Sequence, residues 1–239
     1  MSGQPAFDFK ANYLKFLNHE ETPFIPNEFV GNSILGFGAI NGPAIEKGGA
    51  DGSPDGFGVY WVCPETGGGA AIPKPGQFLL DDICDWREKV TIPDASAFDW
   101  EAEAAKELAN VDRNQTVVAF GFGNGVFERL AALMGFEEAL LAIMEEPEEV
   151  YALFEAITDY KIQALDYIQK YYKPDVVTYY DDACHVVIEC LLVKKITLLR
   201  LHRRVTDHAG RSTNKGDRLV SAVLEMLQDH DAHHMSDME

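Results

Sequence analysis

The sequence predicts an α/β protein built from parallel βα units, either a doubly wound sheet or a closed barrel. Residues 116–120 form a short, β-branched apolar run of the buried-strand type. Helical periodicity then runs from Val126 to Tyr172, and after the break at Lys173-Pro174 residues 175–180 read as the next strand. Strands alternating with helices are the signature of parallel βα units.

The remaining elements follow in chain order. Phe9, Tyr13, Phe16 and Leu17 fall on one face of a short N-terminal helix. Pro23 ends the next turn, and residues 24–30 read as a strand. A loop rich in Gly and Pro, 31–56, leads to a second strand at 57–62. A similar loop, 63–76, precedes a surface stretch containing Trp86 and Pro93. Residues 99–110 are an acidic helix. Gly121, Gly123 and Gly125 join strand 116–120 to a helix at 126–134, and another helix spans 136–144. Pro147 suits the first turn of the long helix that follows. In that helix Val150, Leu153, Phe154, Ile157, Tyr160, Ala164, Leu165 and Ile168 recur at mostly three- and four-residue steps.

Bulk properties narrow the function. A hydrophobic fraction of 46% makes a packed core, not disorder, the expectation for these 239 residues. The net charge of −19 argues against nucleic acid or an anionic membrane surface as partner, since both demand basic patches. No apolar run reaches about 18 residues, and no basic segment followed by a greasy one opens the chain. Cys63, Cys84, Cys184 and Cys190 are widely spaced, so reduced thiols and a cytoplasmic location are expected.

Composition breaks near Asp182. Residues 184–239 balance acids with bases, so the whole −19 belongs to the part before them. His19 stands alone before the break, while His185, His202, His208, His230, His233 and His234 follow it. Residues 1–182 and 183–239 are therefore read as segments of different character.

Several groups are candidates for chemistry. Asp181 and Asp182 close strand 175–180, where parallel α/β folds gather catalytic groups, and one of them could act as acid or base. A solvated turn, or a cap on the next helix, accounts for the same pair. Asp55, Phe57 and Trp61 combine one carboxylate with aromatic walls, as a pocket for a small organic molecule would; a hairpin packed into the core uses the same letters. The Gly121–Gly123–Gly125 turn is neither a dinucleotide fingerprint, whose third glycine would replace Val126, nor a P-loop. Its glycines imply a tight turn and a close approach of backbone to something. His230, His233 and His234 lack a second set of ligands at zinc-site spacing. Cys184 and Cys190 sit in no catalytic frame.

Taken in order, these segments resemble the uroporphyrinogen decarboxylase superfamily. The run from Gly125 through Phe127, Glu128 and Arg129 to Gly135, Phe136 and Glu137, continuing to Glu146-Pro147-Glu148, is similar to its "G-P-F-E-R, R-G-F-E, D-P-E" passage. Asp55 to Trp61 resembles its "D-x-W-G-V-x-W" element, and Pro174 to Asp182 its strand ending in paired acids. The resemblance covers residues 24–182.

It implies a (β/α)8 TIM barrel with the site at the carboxyl ends of the strands. Asp181 and Asp182 would be catalytic, and Asp55, Phe57, Trp61, Gly123, Phe127 and Tyr180 would bind substrate. The superfamily holds cofactor-free, often dimeric decarboxylases. It also holds methyltransferases that serve corrinoid proteins and thiols, several of them with zinc. The Arg-rich "M-R-Q-A-G-R" signature of the decarboxylases is absent, and only Lys10 and Lys15 are basic before Lys47. A polyanionic porphyrinogen needs several cations, so the methyltransferase-like branch is favoured. No cofactor is expected within this chain, and its metal ligands would belong to the missing units.

After Asp182 the family's "H-x-C-G" motif is missing, and His208-Ala209-Gly210 lacks its cysteine. Residues 216–226 again resemble the helix that follows that motif. The expectation is that 183–213 are translated out of frame, that the frame recovers, and that it is lost again near Leu227. The chain then has material for about five of eight βα units, an incomplete barrel for which weak stability or aggregation is expected, with an inactive fragment as the alternative to an enzyme. Retranslating the coding DNA in the other two frames should recover the motif.

Overall fold

A computed structural model describes residues 7–23, 25, 43–49, 51–64, 71–114, 116–179 and 181. The strand expected at 24–30, apart from Ile25, lies outside them, as do Tyr180, Asp182 and residues 183–239.

Helix α1, Phe9–Leu17, starts at Asp8, whose carboxylate accepts the Ala11 N–H at 2.8 Å. Of the face that carries Phe9, Tyr13, Phe16 and Leu17, the first two are half-buried while Phe16 and Leu17 are 40% and 39% exposed; the buried residue is Asn12. A charged side chain also ties the helix down. Lys10 Nζ donates to Asp175 at 2.7 Å and to the Arg113 carbonyl at 2.9 Å.

The strand expected at 57–62 shrinks to β1, Trp61–Val62, which pairs antiparallel with β2, Ile72–Pro73. Asp55 is the physical reason. Its Oδ1 accepts the Phe57 and Val59 N–H groups at 3.0 and 2.9 Å, folding the chain into a turn that Gly58 completes at φ +92°. Trp86 and Pro93, expected at the surface, are both buried. Trp86 opens the short helix α2, Trp86–Lys89, and its indole N–H donates to Glu149 at 3.1 Å. Burial with a satisfied polar tip is the usual fate of tryptophan.

Helix α3, Trp100–Leu108, is capped by Asp99. Trp100 is buried, stacks on Tyr167 with ring centroids 5.8 Å apart, and donates its indole N–H to the Ala95 carbonyl. The central unit follows. Strand β3, Ala119–Phe122, begins three residues later than the apolar run suggested and pairs in parallel with β4, Val176–Tyr179. The register sets Ala119 opposite Val176 and Phe122 opposite Tyr179. Among the described residues these two strands are the whole parallel sheet.

Three helices fill the crossover: α4, Val126–Met134; α5, Phe136–Glu145; and α6, Pro147–Tyr171. All eight apolar residues expected to face inward from α6 are buried. They join Leu130 and Leu133 of α4, Trp100 of α3 and Phe120 of β3 in one core. Each fully buried large side chain contributes about 1.5–3 kcal/mol. Gly135 lets α4 turn directly into α5 at φ +95°. A Cβ there would meet Phe78 at 3.3 Å, besides the strain any L-residue feels at that φ. Gly135→Ala should therefore lower stability by about 1–2 kcal/mol, read as a lower urea midpoint with unchanged slope.

Candidate functional site

The carboxyl ends of β3 and β4 open onto a group of charged side chains that are almost all buried. After β3 the chain turns through Gly123, Asn124 (φ 52°) and Gly125 into α4. After β4 comes Asp181. Its carboxylate accepts the Phe127 N–H at 3.3 Å and the Glu128 N–H at 3.1 Å. Asp181 thus caps α4, a helix 53 residues upstream, not the helix that would follow β4. Glu128 turns back to accept the Gly125 N–H at 3.2 Å, completing the helix start. A Cβ on Gly125 would collide with the Asp181 carboxylate. The close approach implied by the glycines is an approach to this acid.

Beneath the turn lie two fully buried cations. Arg129, on α4, donates from Nη1 to Asp55 Oδ2. Its guanidinium lies 4.2 Å above the Phe57 ring centre and 5.8 Å from that of Trp61. Lys161, on α6, donates from Nζ to Glu46 and, at 3.1 Å, to the Gly123 carbonyl. Glu46 comes from the single helical turn Ala44–Glu46 and is itself buried. Burial pushes the Lys161 ammonium below its ordinary value, while Glu46 pulls it back up.

The residues singled out in the sequence occupy this region in different ways. Asp55 is buried and holds four donors: the Phe57 and Val59 N–H groups, the Trp61 indole N–H at 2.9 Å, and Arg129. That fills the acceptor capacity of a carboxylate, so Asp55 organises the site instead of facing outward. Phe57 is buried between Arg129 and Tyr160, whose ring stands edge-on to it at 5.3 Å. Phe127 packs against Phe136 in the helix layer. Gly123 meets Lys161 through its carbonyl, and Trp61 is half-buried beside Asp55. Asp181 is half-buried at the strand end, the acid nearest the outside of the group. Tyr180 and Asp182 lie outside the described residues.

Glu46, Arg129 and Lys161 had not been singled out. Lys161 carried a signal: it stands four residues after Ile157 and three before Ala164, on the stripe that faces the core. A lysine on such a stripe asks for a buried partner. Glu46 sits in a loop without periodicity and gives no such hint.

Burial pushes the Asp181 carboxyl above its ordinary value, against the opposing pull of the α4 amides and Lys161. The folded chain therefore holds this proton more tightly than the unfolded one. Its stabilisation is complete below the ordinary aspartate value of 3.8 and is lost as pH rises through the folded value. Asp181→Asn should flatten that acid-side fall, measured as the urea midpoint against pH. An unchanged profile would show that Asp181 does not carry it.

Among the described residues no group of three or more His, Cys, Asp or Glu side chains could hold a metal ion. No helix among them is long and apolar enough to cross a membrane. Cys63 and Cys84 are free and exposed. Compared with known proteins, the chain matches no family model, no curated protein and no solved structure.

Proposed function

We propose that this chain is a cytoplasmic, barrel-type enzyme of the uroporphyrinogen decarboxylase superfamily. In its methyltransferase-like branch, it would move a methyl group from a small methylated substrate to a corrinoid protein or a thiol. The observation that carries this reading is the assembly of Asp181, the Gly123–Gly125 turn and the buried ionic group at the carboxyl ends of two parallel strands. That is where α/β enzymes of this architecture build their sites. In this reading Asp181 would meet the substrate and hold or release a proton there, with Asp182 following it in sequence. Lys161 and Arg129 fix the floor beneath it.

Charge favours methyl transfer over decarboxylation of a polyanion. Both buried cations of the group are already engaged by Asp55 and Glu46. A substrate with many carboxylates would have to compete with them. The decisive experiment offers the protein methylated alcohols, amines and thiols with a corrinoid protein, and follows the corrinoid absorbance. A parallel arm follows CO2 release from uroporphyrinogen. Methylation that is lost in Asp181→Asn supports the proposal. CO2 release without methylation replaces it with the decarboxylase reading, and silence in both arms leaves an inactive fragment.

A further inference from the structure

Four buried polar atoms on three neighbouring side chains have no hydrogen-bond partner: Glu46 Oε1, Arg129 Nε, Arg129 Nη2 and the Tyr160 hydroxyl. Their side chains are 3% exposed or less. Arg129 Nη2 lies 3.6 Å from Glu46 Oε2, an attraction between charges but too long for a hydrogen bond. The Tyr160 hydroxyl faces the same carboxylate without reaching bonding geometry, and together burial and Glu46 push its ionisation up. Buried polar groups in folded proteins find partners almost without exception, so four orphan atoms on three neighbouring side chains call for a partner.

The chemistry of that partner is set by the atoms. Nε and Nη2 are the side-on fork of the guanidinium and offer two donors. Glu46 Oε1 offers an acceptor, and the tyrosine hydroxyl can do either. The partner must therefore accept and donate at once. It must also be neutral. Glu46 and Asp55 already balance Arg129 and Lys161, so an ion would add an uncompensated charge to a desolvated site. The 3.6 Å between Arg129 Nη2 and the Glu46 carboxylate is a separation that one small molecule can bridge.

We infer that Arg129, Glu46 and Tyr160 enclose a site for one internal water molecule, which accepts from the guanidinium fork and donates to Glu46 Oε1. Glu46 is then pinned on both oxygens, by Lys161 and by the water. The hydrogen-bonded run then extends from the water through Glu46 and Lys161 to the Gly123 carbonyl at the end of β3. The site is a resident part of the fold and does not depend on which reaction the protein performs.

Crystals of the full chain diffracting to high resolution test this directly. The expected result is a single density peak about 2.7–3.2 Å from Nε or Nη2 and from Oε1. A Glu46 carboxylate chelating the guanidinium side-on, with no peak between, overturns the inference. So does a direct Tyr160–Glu46 bond that leaves no room for a guest. In solution, Tyr160→Phe should melt about 2–4 °C lower, because it removes a bonded hydroxyl. A variant that melts higher would show that the hydroxyl is truly orphaned, and overturns it as well.

Discussion

Replacing Arg129 with methionine is expected to lower the unfolding free energy by about 3–5 kcal/mol. The guanidinium is fully buried, and its removal takes the charged partner from Asp55. Asp55 keeps its three N–H donors, which holds the loss towards the lower end of that range. The vanished cation also strips Phe57 of the group 4.2 Å above its ring. Arg129→Lys should recover only part of the loss. A lysine head restores one charge but not the planar fork that reaches Asp55 and Glu46 together. Guanidinium unfolding curves of the three proteins check this, and a loss below about 1 kcal/mol for the methionine variant would show that the pairing is dispensable.

Lys161→Met is expected to have an effect of similar size, about 3–5 kcal/mol, for a related reason. It leaves Glu46 buried without its closest cation and leaves the Gly123 carbonyl without its donor. The double variant Lys161→Met, Glu46→Gln should be more stable than Lys161→Met alone, because the stranded charge is gone. A pH series adds a second readout. The lysine is held below its ordinary 10.5, so between its folded and unfolded values only the unfolded chain carries the proton. Wild-type stability therefore rises with pH through that window and is lost as pH falls through the folded value. The methionine variant should lack this rise.

Much of the helical layer was legible in the sequence because its signals are local. The inward face of α6 could be read residue by residue from Val150 to Ile168, and Gly135 and Pro147 mark helix boundaries by their backbone needs alone. The parallel pairing of β3 and β4 followed from the helices between them. Strand ends were less legible: residues 116–118 carry strand letters, yet the paired strand starts at Ala119. At 57–62 the letters of a strand lost to the carboxylate of Asp55, which offers the backbone a turn instead. Phe16 and Leu17 share the apolar face with Phe9 and Tyr13 by period, yet they lie exposed, and the Lys10–Asp175 ion pair that ties α1 to a residue 165 positions away has no local signal.

The site divides along the same line. Asp181, Gly123 and Asp55 stood out in the sequence because a strand end, a glycine turn and a lone carboxylate beside aromatic residues each carry meaning in an α/β chain. What could not be read was their use. Asp181 as the cap of α4, and Asp55 as the partner of Arg129, are facts about residues 53 and 74 positions apart. No local pattern encodes such distances.

Those distances also bear on how the protein reaches its fold. Glu46 meets Lys161 across 115 positions, and Asp55 meets Arg129 across 74. Closing such long loops costs chain entropy before either pair yields anything, and a desolvated charge is tolerable only once its partner is in place. These costs predict that the ionic group assembles late, on helices already packed together. Substitutions within it should act mainly by hastening unfolding and leave the rate of folding nearly untouched. In kinetic terms the group is expected to act as a latch, closing last and governing how long the folded state persists.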